Sequence, residues 1–381
     1  MPKTLTRYDA TLDALLDNLG DRVVVVGNKK PNLEKLPRKK ITKRTKLERR
    51  KRFLQRKALK RLRRKRRKDK KKRSFRLWLT PINKEEFAVI PAPKNFSLID
   101  NTEEVLAYFK GVGHILENRV QVQFDLENIE ALTPDAIALL IAKVKDVNFT
   151  RTITVKGNRP LDKKLGRLFD ESGFLDHVRS AYSVPKNTSH LLIHQVSHKK
   201  VHPLVAKKVG LLSVGHTFKK SDPFQPIYKI MIEAMANTDN HASLHRVGVH
   251  DWWLFTYCNP ENNITTFTFL DLGVGIFNSN PVNTYKQKLL AKVEKATDIS
   301  LTIKDNLKLV PKLFSGEIYT SRLRDKKRGQ GLPSILELSK NKHIKNFTII
   351  TNNVKINLPN LNSTPLKNRF NGTLLHWELH P

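Results

Sequence analysis

Residues 38–73 contain 24 lysines and arginines against two acids, Glu48 and Asp69. A tract carrying +22 cannot be buried, because ionised groups lose their hydration in an apolar interior. Any core must be built outside it, where the rest of the chain shares the remaining +14 of a total of +36. Charge is therefore a segmental property, and it divides the chain before any motif is read.

Within the tract, Leu47, Leu54, Ala58 and Leu62 recur near helical spacing. That predicts a basic helix with a thin apolar seam, frayed when free because its charges repel. Three roles fit such a segment: a solvated tail or localisation signal, a polyanion-binding arm, or a membrane-surface contact. The seam is too thin for firm interfacial insertion. Aromatic residues are sparse, with Phe53 inside and Phe75 and Trp78 at the edge. Phosphate contact rather than base stacking follows, so non-specific RNA or DNA binding through 38–73 is the favoured partner reading.

The 381 residues suggest two or three domains, and 39% apolar content suffices for cores once the tract is set aside. Cys258 is the only cysteine, so no internal disulfide can form, and a reducing, cytoplasmic setting is expected. No apolar run approaches the roughly 18 residues of a membrane span. The N-terminal residues lack the apolar stretch of a signal peptide.

Five segments are expected: a small piece at 1–36, the basic tract at 37–75, an α/β module at 76–185, a linker at 186–222, and a final domain at 223–381. In the first, Thr11 to Leu19 has helical spacing and Arg22 to Gly27 is strand-like. In the module, Phe87–Ile90 and Thr152–Val155 read as strands, and Val120–Asp125 alternates as a strand should. Thr102–Phe109 and Leu161–Phe169 read as helices, the first capped by Asn101 or Thr102. A third helix begins Thr133-Pro134-Asp135, with cap, proline and early acid in order. This alternation resembles the STAS domains of anti-sigma-factor antagonists. In those, a serine near the start of this helix accepts phosphate; here Thr133 stands there, and an N-cap role suits it better. In the linker, His190, His194, His198 and His202 recur every four residues. Pro203 interrupts one continuous helix, and no carboxylate or cysteine joins them, which argues against a metal site.

Three motifs follow in order over the final domain. The helix from Ile227 to about Ala242 carries Glu233, Asn237 and His241 on one stripe. A predicted hairpin, Asp251–Cys258 and Ile264–Leu270 around Asn259–Asn263, delivers Asp271 to a strand end, followed by Gly273 and Gly275. Arg328-Gly329-Gln330-Gly331-Leu332 then opens a helix. Paired glycines let a backbone approach a ligand closely, and a helix N-terminus favours phosphate.

Order and spacing together resemble the GHKL ATPase/kinase superfamily, and no P-loop pattern occurs. The resemblance is nearest the anti-sigma-factor serine kinases, whose motif also ends in a histidine. It implies an α+β sandwich holding ATP under a mobile lid, here the stretch 276–328. By that resemblance Asn237 supplies an oxygen to Mg²⁺, Glu233 acts as general base, and His241 is a phosphate-side or structural residue. Asp271 would take the adenine amino group, with Gly273, Gly275 and Leu332 around the nucleotide. Lys327 and Arg328, beside Gly329 and Gly331, would meet phosphate oxygens. Thr373, after Gly372 at the opening of a final strand, would help to hold the base. Leu272 departs from the pattern, since many relatives carry a polar residue there.

No phosphoacceptor hairpin of a histidine kinase is legible between 186 and 226, and no transducer segment follows the last strand before Pro381. The expected function is thus a regulatory Mg-dependent ATPase or serine/threonine-type kinase with a STAS-like module. The alternative is a nucleotide-switched nucleic-acid binder with little turnover. Either leaves room for a protein partner or a homodimer.

Overall fold

The computed structural model describes residues 83–176, 192–198, 201–241, 251–259, 261–279, 282–283, 285–286, 304–320 and 331–381. The segment 1–36, the basic tract and His190 of the histidine pattern lie outside these residues. The architecture is mixed α/β, with a parallel and an antiparallel sheet.

The first half alternates as its pattern predicts. Strand β1 (Asn83–Pro91), the short β2 (Asn95–Phe96) and helix α1 (Thr102–Glu117) come first. Then follow β3 (Val120–Asp125), β4 (Ala131–Leu132), α2 (Pro134–Lys145), α3 (Val147–Thr150), β5 (Val155–Gly157) and α4 (Lys163–Glu171). β1, β3 and β5 form a parallel sheet in that order. Helix α1 begins where expected but runs on to Glu117, since Val112 and Leu116 continue its buried face. Asn101 occupies its N-cap position, without a side-chain capping bond.

Thr133 does stand at the N-cap of α2, yet its side chain caps nothing; its hydroxyl is buried without a partner. Asp135 does the local work instead. Its buried carboxylate accepts the backbone N–H groups of Leu98 at 2.7 Å and Ile99 at 3.2 Å. That ties the first turn of α2 to the loop before α1.

The second half is an antiparallel sheet in the order β6-β7-β8-β10-β9. Its strands are β6 (Leu192–His198), β7 (Asp251–Cys258), β8 (Thr265–Asp271), β9 (Ile344–Asn357) and β10 (Asn362–Leu379). Its helices are α5 (Pro203–Phe218), α6 (Gln225–His241), α7 (Lys304–Phe314), α8 (Glu317–Thr320) and α9 (Gly331–Ser339). The stretch expected as a linker, 186–222, thus supplies an edge strand and a core helix. Ala206 and Val209 of α5 are buried, and β6 pairs with β7 along its length. His194 and His198 fall on β6 and His202 at the N-cap of α5, so their spacing does not belong to one helix.

Both faces of this sheet are covered, so β7 and β8 are buried at almost every position, β7 through a nearly unbroken apolar run and β8 through phenylalanines alternating with threonines. On one face Trp252, Leu254, Phe267, Phe269 and Trp377 meet α5, α6, α7 and α9. Trp377 lies between Phe267 at 5.0 Å and Phe347 at 5.6 Å, stacked on both. On the other face Trp253, Phe255, Leu270, Ile350 and Leu374 share a core with α1 and α2. Polar contacts join the halves as well. The Glu103 carboxylate accepts from Lys367 N at 2.6 Å and Asn368 N at 3.1 Å, and the Lys355 ammonium donates to the Ile99 carbonyl. Among the described residues, no helix is long and apolar enough to cross a membrane.

Candidate nucleotide site

Helix α6 forms because Ile227, Ile230, Met231, Ala234 and Met235 give it one buried face. Glu233 and Asn237, one turn apart, sit half-buried at the edge of that face. Both point toward the start of α9. A methyl group added at Gly331 would lie 2.9 Å from Asn237 Oδ1 and 3.2 Å from Glu233 Oε2. Glycine at 331 is what lets the first turn of α9 reach the two polar groups. The N–H groups of that turn have no partners within the helix, which favours an anion there.

Strand β8 ends at Asp271, which is 5% exposed. Its carboxylate accepts from Gly273 N at 2.8 Å and from the Thr238 hydroxyl at 3.4 Å. Burial pushes this carboxyl up to about 6, against the Gly273, Thr238 and Thr373 hydrogen bonds that favour its ionised form. Gly273 therefore braces the aspartate. Glu233 is also pushed up from the ordinary glutamate value by burial.

One pocket gathers residues from the expected motifs. Its wall comprises Ala234, Asn237, Phe269, Asp271, Gly275, Ile276, Ser279, Leu332, Thr373 and Leu375. Asn237, Asp271, Gly275, Leu332 and Thr373 were legible as site residues; Glu233 and Gly331 lie beside them. Lys327, Arg328 and Gly329 are outside the described residues, as is the side chain of His241.

Two further residues hold the pocket and were missed. Thr351 Oγ1 accepts from Ile276 N at 2.9 Å. Asn352 accepts from Phe277 N at 2.9 Å and donates to Val274 O at 2.8 Å. These neighbours on β9 fix the loop that follows Asp271. The signal was present as Thr351-Asn352-Asn353, three polar residues set between Ile350 and Val354. Gly275, at φ +76°, lies so close to Asn352 that any side chain would collide with it. Gly372, at φ +135°, sits against the Asp271 carbonyl with no room for a Cβ. It marks a bulge within β10 rather than the strand opening expected from the sequence, since β10 begins at Asn362. The register shift across that bulge, between Phe370 and Thr373, sets Thr373 opposite Thr351 on one side and Asp271 on the other.

The residues present fit a magnesium nucleotide. Asn237 offers a neutral amide oxygen suited to a hard cation, and Gly331 lets the first turn of α9 come close to that oxygen. Aliphatic and aromatic walls with an acceptor at Asp271 suit a flat base bearing an amino group. No protein-family model matches the sequence, and no curated protein matches it either.

Proposed function

We propose that the chain is a GHKL-type ATP-binding regulatory protein, an Mg-dependent ATPase or kinase, built on a STAS-like module. The observation that carries this reading is convergence. Three motifs separated by tens of residues meet at one pocket, with Gly331 against Glu233 and Asn237 and with Asp271 and Thr373 paired across β8 and β10. Chance matches to short motifs have no reason to converge in space.

In this reading Asp271 accepts the adenine amino group, and Ile276, Leu332 and Leu375 cover the ring. The first turn of α9 holds phosphate oxygens. Asn237 would hold Mg²⁺, which when bound neutralises phosphate charge. Glu233 is the general base. It takes the proton of a water or acceptor hydroxyl as that oxygen bonds the γ-phosphorus, while the bond to the β–γ bridging oxygen breaks and ADP leaves. Its raised pKa makes it a stronger base than an exposed glutamate.

The basic tract supports a second reading, a nucleotide-switched binder of RNA or DNA through residues 38–73. A single set of measurements tests both. ATP binding and turnover are followed for wild type, Glu233→Gln and Asp271→Asn, with and without nucleic acid. Glu233→Gln should bind ATP normally and lose turnover by about 10²- to 10⁴-fold; Asp271→Asn should lose binding. ATP bound but never consumed favours the switch. Binding and turnover untouched by both changes would sink the nucleotide reading.

A further inference from the structure

The backbone of Phe277 is held from both sides. Its N–H donates to Asn352 Oδ1 at 2.9 Å, and its carbonyl accepts from the Lys286 ammonium at 3.2 Å. The same ammonium donates to Asn306 Oδ1 at 2.7 Å, and Asn306 Nδ2 donates to Asn353 Oδ1 at 2.6 Å. Asn352 and Asn353 are neighbours on β9. The hydrogen bonds therefore form a closed circuit that leaves Phe277 through one backbone group and returns through the other.

The circuit joins three segments to the loop after Asp271: the residues near 286, the first turns of α7, and β9. α7 is itself anchored, because Leu309, Val310 and Leu313 are buried in the core that also takes in Phe277 and Val282. Asn306 is the member that needs an amide. Its oxygen accepts from a cation and its nitrogen donates to a carbonyl, and losing it opens the circuit in two places. None of Lys286, Asn306, Asn352 and Asn353 lines the pocket, but Gly275, Ile276 and Ser279 of the clamped loop do. Whatever the circuit does for a ligand, it does by placing that loop.

We infer that Lys286 and Asn306 are positioning residues for the base. Through Phe277 they hold Ile276 in the pocket wall before a ligand arrives, so little loop ordering remains to oppose binding. This inference rests on the nucleotide reading. It assigns a part of the site to residues in the long stretch between the two glycine motifs, where no motif marks them.

The test is an equilibrium titration of the full chain with adenosine and with ADP. Wild type, Asn306→Leu, Lys286→Met, the double variant and Val310→Ala are compared. Asn306→Leu and Lys286→Met should each weaken binding about three- to tenfold, by the same factor for both ligands, because the base side has moved. The double variant should lose no more than the larger single loss, since either change opens the same circuit. Val310→Ala truncates a buried side chain of the same helix outside the circuit; it should lower the urea midpoint and keep wild-type affinity. The inference is overturned if Asn306→Leu binds as wild type does, if the two losses add, or if Val310→Ala weakens binding as much as Asn306→Leu. A loss in Lys286→Met confined to ADP also overturns it, by making the ammonium a phosphate ligand. Should Asn306→Leu not fold, Lys286→Met against Val310→Ala decides by the same criteria. If wild type binds neither ligand, the nucleotide reading itself has failed; if wild type binds both and the circuit variants match it, only this inference has.

Discussion

Helices α2 and α6 pack on the same two strands, β7 and β8, from opposite faces. In α2 every residue from Ala136 to Ala142 is fully buried, and the buried Asp135 is matched to two backbone N–H groups. Two turns that are apolar and buried on every side leave no surface for a ligand. α6 buries five apolar side chains but carries Glu233 and Asn237 half-buried beside Gly331. The helix that spends all its faces on packing is the support. The one that leaves two polar groups against a glycine is the candidate site.

Truncating the support should give the largest stability change. Leu139→Ala removes a fully buried side chain shared by two layers and should cost about 2–5 kcal/mol in urea unfolding. ATP affinity of the folded variant should stay as in wild type. An equal loss of affinity would mean that the two faces of the sheet are coupled and would break the contrast.

The next effect is set by pH. Asp271 has a folded-state pKa of about 6, above its ordinary value of 3.8. The folded state therefore holds its proton more tightly than the unfolded chain does. Ligand-free stability should fall as pH rises from about 4 to 6 and then level off, by roughly 3 kcal/mol from this group alone. ATP affinity should move the other way and rise over the approach to neutrality, because the ionised carboxylate is the better acceptor for an amino group. Asp271→Asn should remove the stability dependence, read from denaturant midpoints, while the wild-type Kd measured at each pH checks the rise in affinity.

A smaller change belongs to the helix start. Gly331→Ala places a methyl group against Asn237 and Glu233, so one of them must shift. ATP affinity should drop about tenfold, while alanine in the first turn of α9 leaves stability level or raises it by up to about 1 kcal/mol. A drop in stability with affinity intact would show that Gly331 serves packing instead.

The same contrast explains what could be read in advance. α2 and α6 both announced themselves, through Thr133-Pro134-Asp135 and through apolar residues at helical spacing, because those signals are local. Asp271 was legible because a hairpin of two apolar runs ends there. The edge strand β6 and helix α5 were not legible because the stretch 186–222 is rich in lysines and histidines, a composition that reads as a solvated linker.

Pattern in the sequence determined that an α/β alternation fills the module and that acid, amide and glycine motifs succeed one another in order. These follow from hydration and from contacts within a few residues of each other. Tertiary structure alone decided that α2 backs the sheet carrying the pocket, that Thr351 and Asn352 clamp the loop after Asp271, and that a bulge at Gly372 sets Thr373 opposite that aspartate. Each of these joins residues tens of positions apart, and only the packing of both faces of one sheet brings them within reach.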